Sequence, residues 1–239
     1  MRHPTALQAA PRQQVLGYSD LPRFLTLMTG DEKHSPSALS TMDVLWVLYD
    51  RVLRVSPETA SDPDRDRFLL SKGHGPMAYY AVLAAKGFVS PETLETFGGY
   101  HSPLGQHPDR LLVPGVEISS GSLGHGLPIA VGVALALELQ GRALPRVVCL
   151  LGDGELDEGS NHEAIAYAGR RGLARLTVVV VDNRSSSFGW PGGIGARFAV
   201  EGWATASVNG RDHDALEAAL ANPDPARPSA VIARVENRE

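Results

Sequence analysis

The chain has 239 residues, of which 43% are hydrophobic, so it can bury a sizeable core within one large domain. Its 22 basic and 27 acidic residues include no basic run, which argues against nucleic acid or a membrane surface as a partner. It shows neither a signal peptide nor an apolar run of about 18 residues, and its one cysteine suits a reducing compartment, so we expect a cytoplasmic protein.

The first half of the chain contains helical patterns. Residues 1–19 lack an apolar core and are expected to form a flexible arm before a single domain that spans residues 20–239. Apolar residues then recur at helical spacing from Leu21 to Met28 and again from Met42 to Leu53, which predicts two amphipathic helices. A further helix is predicted from Leu127 to Leu139, where Ala, Gly and Leu allow close packing.

The second half alternates between strand and helix patterns. The apolar runs Val147–Leu151 and Leu176–Val181 indicate buried strands, and Glu163–Ala168 between them indicates a helix. One such crossover joins neighbouring parallel strands, so their carboxyl ends lie at the same edge of a mostly parallel sheet. The remaining predicted elements are a loop at residues 185–197, short strands at Trp203–Val208 and Ala230–Val235, and a helix at Asp214–Leu220.

Polar residues follow both of these strands. Gly152-Asp153-Gly154 ends the first strand, and Asn183 follows the second. Asp153, Asn183 and the carbonyl of Ser185 can complete the coordination of a Mg²⁺ ion that already carries diphosphate oxygens. Gly154 lets the backbone approach the anion closely. A Gly-Asp-Gly turn alone is weak evidence, but the crossover spacing to Asn183 favours a magnesium and diphosphate site at this edge, where open α/β sheets bind ligands.

The turn and Asn183 together resemble the thiamine diphosphate motif, and the wording GDGELDEGSNHEA is similar to that of transketolases. Three further blocks agree with that family in the same order: Asp64–Gly75, His101–Pro108 and Pro114–Gly126. The resemblance covers roughly residues 20–235. It implies an α/β fold with a mostly parallel sheet flanked by helices, which binds the diphosphate of thiamine diphosphate together with Mg²⁺.

The resemblance also implies roles for individual residues. His74 would contact the diphosphate, His34 would face the sugar phosphate or its reacting carbonyl, and His101 would bond the donor's hydroxyls. Glu158 would join a carboxylate chain between two active sites at a subunit interface, or else only complement the dipole of the helix that follows it. The complete cofactor-binding set implied is His74, Gly121, Ser122, Leu123, Gly154, Glu155, Asn183 and Arg211.

Two departures from the family's pattern bear on specificity. The family's Gly-His-Pro-Gly is here Lys33-His34-Ser35-Pro36, and its Asp-Gly-His-Asp is here Asn209-Gly210-Arg211-Asp212. Arg211 can pair with phosphate but cannot titrate near neutrality. An acid–base step at that position would therefore move to His34, His74 or a partner residue, or else the substrates would differ.

Several other polar residues receive weaker assignments. Three histidines inside the motif blocks stay open between structural and functional roles: His107, His125 and His162. Four residues are expected to have solvated side chains: His3, His213, Glu155 and Asp157.

The resemblance further implies a second chain. In the family, the glutamate that activates the cofactor's aminopyrimidine lies on a pyrimidine-binding domain that follows the domain resembled here, whereas this sequence ends at Glu239. We therefore expect a heteromeric transketolase, with two copies of each chain. It would transfer a two-carbon ketol unit from a ketose phosphate to an aldose phosphate.

Three alternatives stay open. The α subunit of a 2-oxo acid dehydrogenase also carries Gly-Asp-Gly and Asn. The blocks Ser71–Gly75 and His101–Pro108 argue against it, and activity with pyruvate and an electron acceptor would favour it. A transketolase of a specialised pathway would use a modified sugar donor. A non-catalytic, thiamine diphosphate-binding regulatory subunit is the third, although the intact Asp153 and Asn183 argue against an inactive relic.

Overall fold

One fully parallel five-stranded sheet organises the protein. The computed structural model describes residues 16–30, 35–187 and 189–235. The sheet has the strand order β1-β2-β3-β5-β4, and every neighbouring pair is parallel. The strands are β1 (Arg67–Leu70), β2 (Val147–Gly152), β3 (Leu176–Asp182), β4 (Ala204–Asn209) and β5 (Ser229–Arg234). The predicted α/β class with a mostly parallel sheet is confirmed.

Helices cover both faces of this sheet. They are α1 (Leu21–Leu27), α2 (Ser35–Val47), α3 (Met77–Ala85), α4 (Pro91–Leu94), α5 (Gly126–Leu139), α6 (Gly159–Arg171), α7 (Ile194–Ala199) and α8 (His213–Ala221). A π-helical turn, Leu48–Val52, extends α2. No helix among these described segments is long and apolar enough to span a bilayer.

Two apolar layers enclose the strands, because successive strand residues point to opposite faces. Leu150 of β2 belongs to the layer that packs against α1, α2 and α3, whereas Cys149 and Leu151 belong to the layer under α5 and α6. All three side chains are completely buried. Strands that are apolar on both sides therefore form the centre of a three-layer α/β sandwich.

The observed elements depart from the predicted ones in several places, and neither β1 nor α4 was predicted. The predicted loop at residues 185–197 is wrong at its end, because α7 begins at Ile194 within it. Helix α3 was not predicted, because Met77 to Ala84 are all buried and so show no polar face.

The structure describes only the last four residues of the predicted N-terminal arm. Residues 1–15 and His34 lie outside the described residues. Residues 16–19, assigned to the arm, include Tyr18, whose hydroxyl donates a 2.6 Å hydrogen bond to Asp43 of α2. These residues are therefore attached to the folded domain.

Candidate functional site

The predicted metal ligands lie together at the carboxyl ends of β2 and β3. The carboxylate of Asp153 is 1% exposed and accepts hydrogen bonds from the backbone N–H of Ser185 at 2.7 Å and from its hydroxyl at 2.5 Å. The N–H of Ser186 donates a third at 3.1 Å. These bonds fix the loop after β3 against the Gly-Asp-Gly turn, so Asp153 and Ser185 are in direct contact.

Asn183 supplies the observation that tests whether a cation fits. Its Oδ1 atom is buried and has no hydrogen-bond partner among the described residues. Leaving a buried acceptor without a donor costs about 1–3 kcal/mol, so such an atom calls for a function. Mg²⁺ binds carboxylate, amide and carbonyl oxygens. The carboxylate of Asp153, the free oxygen of Asn183 and the carbonyl of Ser185 therefore fit a magnesium ion.

Two histidines and a glycine loop form the adjoining surface. The rings of His74 and His107 meet edge to face, with 5.8 Å between their centroids. Gly121 has a φ of +127°, and a Cβ atom at that position would lie 2.8 Å from Cδ2 of His107. A side chain at residue 121 would thus displace the imidazole. Ser122 and Leu123 follow in the same loop and are exposed. The three predicted cofactor residues of this loop are therefore accessible to a ligand.

Glu155 does not face solvent, so that expectation is wrong. It is 3% exposed, and its carboxylate accepts hydrogen bonds from the hydroxyl of Ser71 and from the N–H groups of Gly124 at 3.1 Å and Gly152 at 3.3 Å. Burial raises the pKa of Glu155, while these bonds and the charge of Lys72 oppose that rise. The carboxylate therefore joins three loops, and any contact of Glu155 with the cofactor would come from its backbone.

Asp157 is likewise not a solvated side chain. It is half-buried and accepts hydrogen bonds from the hydroxyl of Ser186 at 3.0 Å and from the N–H of Ser187 at 3.1 Å. Both donors belong to the loop that Asp153 holds. The two aspartates after β2 therefore fasten the loop after β3 at successive points.

Arg211 is bound to α2 in this structure. Its Nη1 atom donates to Asp43 at 2.6 Å and to the carbonyl of Leu39 at 2.8 Å. Asp43, which is 4% exposed, also accepts hydrogen bonds from Tyr18 and from His213, the latter at 3.0 Å. Burial by itself raises the pKa of Asp43, but the bonds from Tyr18, Arg211 and His213 outweigh it and lower the pKa.

These contacts correct the assignment of His213 and describe the surroundings of Arg211. The sequence predicts a solvated His213, but its ring is bonded to a buried carboxylate and packs edge to face on Tyr18 at 4.7 Å. The resemblance assigns Arg211 to the cofactor, which stays a prediction, and in this structure the guanidinium donates to α2. A carboxylate is the partner that a guanidinium prefers within a protein, and Asp43 provides one.

The other predicted residues are more scattered. His101 is exposed, and its ring packs against Tyr100 with 4.8 Å between centroids. Glu158 is exposed directly before α6, which is compatible with either of its predicted roles. The Nδ1 atom of His125 lies 2.9 Å from the carbonyl of Leu123. His162 lies against Trp190, with ring centroids 5.1 Å apart.

Two residues of this region received no definite role from the sequence. His107 shares a motif block with His101, and the structure brings His107 rather than His101 beside His74. Lys72 lies within the block Asp64–Gly75 and received no role. The sequence feature that could have indicated a role is a charged side chain close to the end of a buried strand, at the edge of the sheet where ligands bind.

The sequence matches the family described as "Transketolase, thiamine diphosphate binding domain" over residues 25–235. The chain is a member of this family. Among its relatives is a protein of Actinobacillus succinogenes that is named as a subunit of an apulose-4-phosphate transketolase. It is 41% identical over 63% of this chain and 54% of the relative. The predicted resemblance to transketolases is therefore confirmed.

A second relative carries a different kind of name. The protein "Ferredoxin fas2" of Rhodococcoides fascians is 62% identical over 91% of this chain and 72% of its own length. Iron–sulfur clusters are typically held by four cysteine thiolates. Cys149 is the only cysteine of this sequence, so these 239 residues do not by themselves supply four such thiolates.

The fold agrees with that of solved transketolases. The transketolase of Campylobacter jejuni superimposes on this chain with a TM-score of 0.73 at 28% identity. The match covers 91% of this chain but only 37% of that enzyme. The chain thus spans about a third of a solved transketolase and about half of the Actinobacillus relative.

Proposed function

We propose that this chain is the diphosphate-binding subunit of a two-chain transketolase. The enzyme moves a two-carbon ketol unit from a ketose phosphate to an aldose phosphate. The observation that carries the proposal is the unpaired, buried oxygen of Asn183 at the end of β3, the strand that neighbours the one preceding Asp153, within a fold whose family binds thiamine diphosphate. When bound, that cofactor supplies the group that stabilises the transferred carbanion.

The residues of this chain bind and orient the cofactor. Asp153, Asn183 and the carbonyl of Ser185 would hold Mg²⁺, which would supply positive charge for the diphosphate. His74 and the loop that begins at Gly121 border the diphosphate, where backbone N–H groups of the loop can bind its oxygens. Gly154 leaves the backbone open to the anion.

The sugar donor lies over the surface formed by the two paired histidines. His107 is the better candidate for contact with the donor's hydroxyls, because it lies against His74, whereas His101 packs on the exposed ring of Tyr100. His34 keeps its predicted role toward the sugar phosphate in the proposal, and it lies outside the described residues.

A second chain supplies the pyrimidine-binding domain. The support for it is that a relative 41% identical to this chain is itself named as a transketolase subunit. In the assembly, two copies of each chain form two composite sites, with Glu158 at the interface between them.

A modified donor is the second candidate for the substrate. The relative from Actinobacillus is named for apulose 4-phosphate, which makes a specialised donor plausible for this chain. The Arg211 side chain, which replaces the family's histidine, is bonded to Asp43. Without a titratable group at residue 211, recognition of the donor at this side of the site must differ from that in enzymes that keep the histidine.

The proposal is tested by reconstitution. The tagged chain is purified gently from its native cells with Mg²⁺ and thiamine diphosphate, and the co-purifying chain is identified by mass spectrometry. Each chain alone and the mixture are then assayed with pentulose phosphates and with apulose 4-phosphate as donors and an aldose phosphate as acceptor. Ketol transfer by the mixture alone is expected. Isolation of the chain as a stable homodimer that transfers no ketol unit would favour a binding or regulatory role instead.

A further inference from the structure

We propose that the Lys72 ammonium is a diphosphate-binding group, which supplies the positive charge opposite the cofactor's phosphates. The proposal rests on the function proposed above. Lys72 lies two residues beyond the end of β1, at the same edge of the sheet as Asp153. Its Cδ atom is 3.2 Å from the position that a Cβ on Gly152 would occupy. The side chain therefore crosses directly over the start of the Gly-Asp-Gly turn.

The ammonium is held in place by neutral oxygens of α2. The Nζ atom donates to the hydroxyl of Ser37 at 2.6 Å, to the carbonyl of Ser37 at 3.1 Å and to the hydroxyl of Ser40 at 3.3 Å. No ion pair of Lys72 with a carboxylate occurs within the described segments. Asp153 and Glu155 act on it only through their field. The charge is thus oriented but has no anionic partner in contact.

The position of the Lys72 ammonium is unfavourable for a cation that has no anion in contact. Loss of water lowers the pKa of Lys72 to about 8, and the charges of Asp153 and Glu155 only partly oppose that effect. The first turn of α2, which holds the ammonium, is the positive end of a helix dipole. A desolvated ammonium and a helix N-terminus both favour an anion at the same point. A diphosphate is such an anion, and its metal site begins at Asp153.

The competing explanation is structural. Lys72 could simply attach α2 to the loop after β1 through its hydrogen bonds with Ser37 and Ser40. A Lys72→Gln variant separates the two roles, because glutamine can donate a hydrogen bond to these hydroxyls but carries no charge. Lys72→Arg restores the charge. Lys86→Met is the matched control, since Lys86 loses the same charge at a half-buried pair with Asp50, 2.5 Å away and outside the ligand site.

The experiment measures the binding of two probes to the purified full chain by calorimetry. The probes are Mg²⁺ with thiamine diphosphate and Mg²⁺ with inorganic diphosphate, which needs no pyrimidine-binding domain. Lys72→Gln is expected to weaken both by about 10–100-fold, the range for loss of a hydrogen bond to a charged group. Lys72→Arg should recover at least part of that loss, and Lys86→Met should bind like the wild type. The melting temperature of Lys72→Gln without ligand should not fall.

Two results would overturn the role. Lys72→Gln with Kd values within about twofold of the wild type would show that the charge is not used. A lowered melting temperature together with unchanged binding would identify Lys72 as a structural attachment. A wild-type chain that binds neither probe would refute the proposed function itself, whereas normal wild-type binding with an unaffected variant would refute only the role of Lys72.

Discussion

Replacement of Asp43 by asparagine should destabilise the protein strongly, although the change is nearly isosteric. Asp43 is 4% exposed and accepts hydrogen bonds from Tyr18, Arg211 and His213, which belong to two segments far apart in the chain. Asparagine carries no charge, and its amide group would direct two donors at groups that also donate. The variant therefore leaves the Arg211 guanidinium without its counter-ion.

The magnitude follows from the burial of the partners. Breaking a fully buried ion pair by removing one partner costs about 3–5 kcal/mol. The side chains of Arg211 and His213 are each 21% exposed, so water can compensate part of the loss. We expect the free energy of unfolding to fall by about 2–4 kcal/mol. The exposed control Asp214→Asn, which breaks a pair with Arg51 at 2.9 Å, should lower it by less than about 1 kcal/mol.

Urea unfolding at pH 7 measures both variants, and its pH dependence tests the cause. Because the folded pKa of Asp43 lies below its usual 3.8, its stabilisation is present above that pH and is lost as the pH falls through the folded value. The difference between wild type and Asp43→Asn should therefore shrink in acid below about pH 4. A loss below about 1 kcal/mol at neutral pH, or a difference that grows in acid, would refute this account of the Asp43 cluster.

Two further predictions concern the ligand site. Asn183→Leu should leave the free energy of unfolding unchanged or raise it by up to about 1 kcal/mol, because it removes an unpaired buried oxygen. In the same variant, Mg²⁺ should no longer strengthen cofactor binding. Thermal shift with and without Mg²⁺ measures both effects, and retained magnesium dependence would contradict the assignment of Asn183 as a ligand. In the reconstituted enzyme, His107→Ala should lower kcat/KM for the donor by about tenfold or more, whereas His101→Ala should change it by less than about threefold. The reverse order in steady-state kinetics would return the donor contact to His101.

The sequence was informative where the signal was local. Two apolar runs separated by one crossover were sufficient to predict that β2 and β3 are parallel neighbours, and parallel strands bring their carboxyl ends to one edge. Asp153, Asn183 and Ser185 could therefore be grouped from the sequence alone. The structure places Asp153 and Ser185 in contact and leaves the oxygen of Asn183 unpaired.

The sequence was uninformative where burial reverses the usual behaviour of a residue type. Glu155 has the pattern of an exposed acid in a turn, yet three loops direct donors at its carboxylate. The partner of Arg211 lies 168 residues away along the chain, and no local pattern reports such a contact. Helix α3 shows no periodicity because it is buried on all sides. Each of these features depends on packing between distant segments.

The central claim is that this chain binds the diphosphate of its cofactor through a magnesium ion at Asp153. The most direct measurement is equilibrium binding of thiamine diphosphate to the purified chain, with Mg²⁺ and with a chelator, for the wild type and for Asp153→Ala. We predict binding by the wild type with Mg²⁺, weakened by about 100-fold or more by the chelator or by the substitution. Binding that is indifferent both to Mg²⁺ and to the loss of the Asp153 carboxylate would contradict the account.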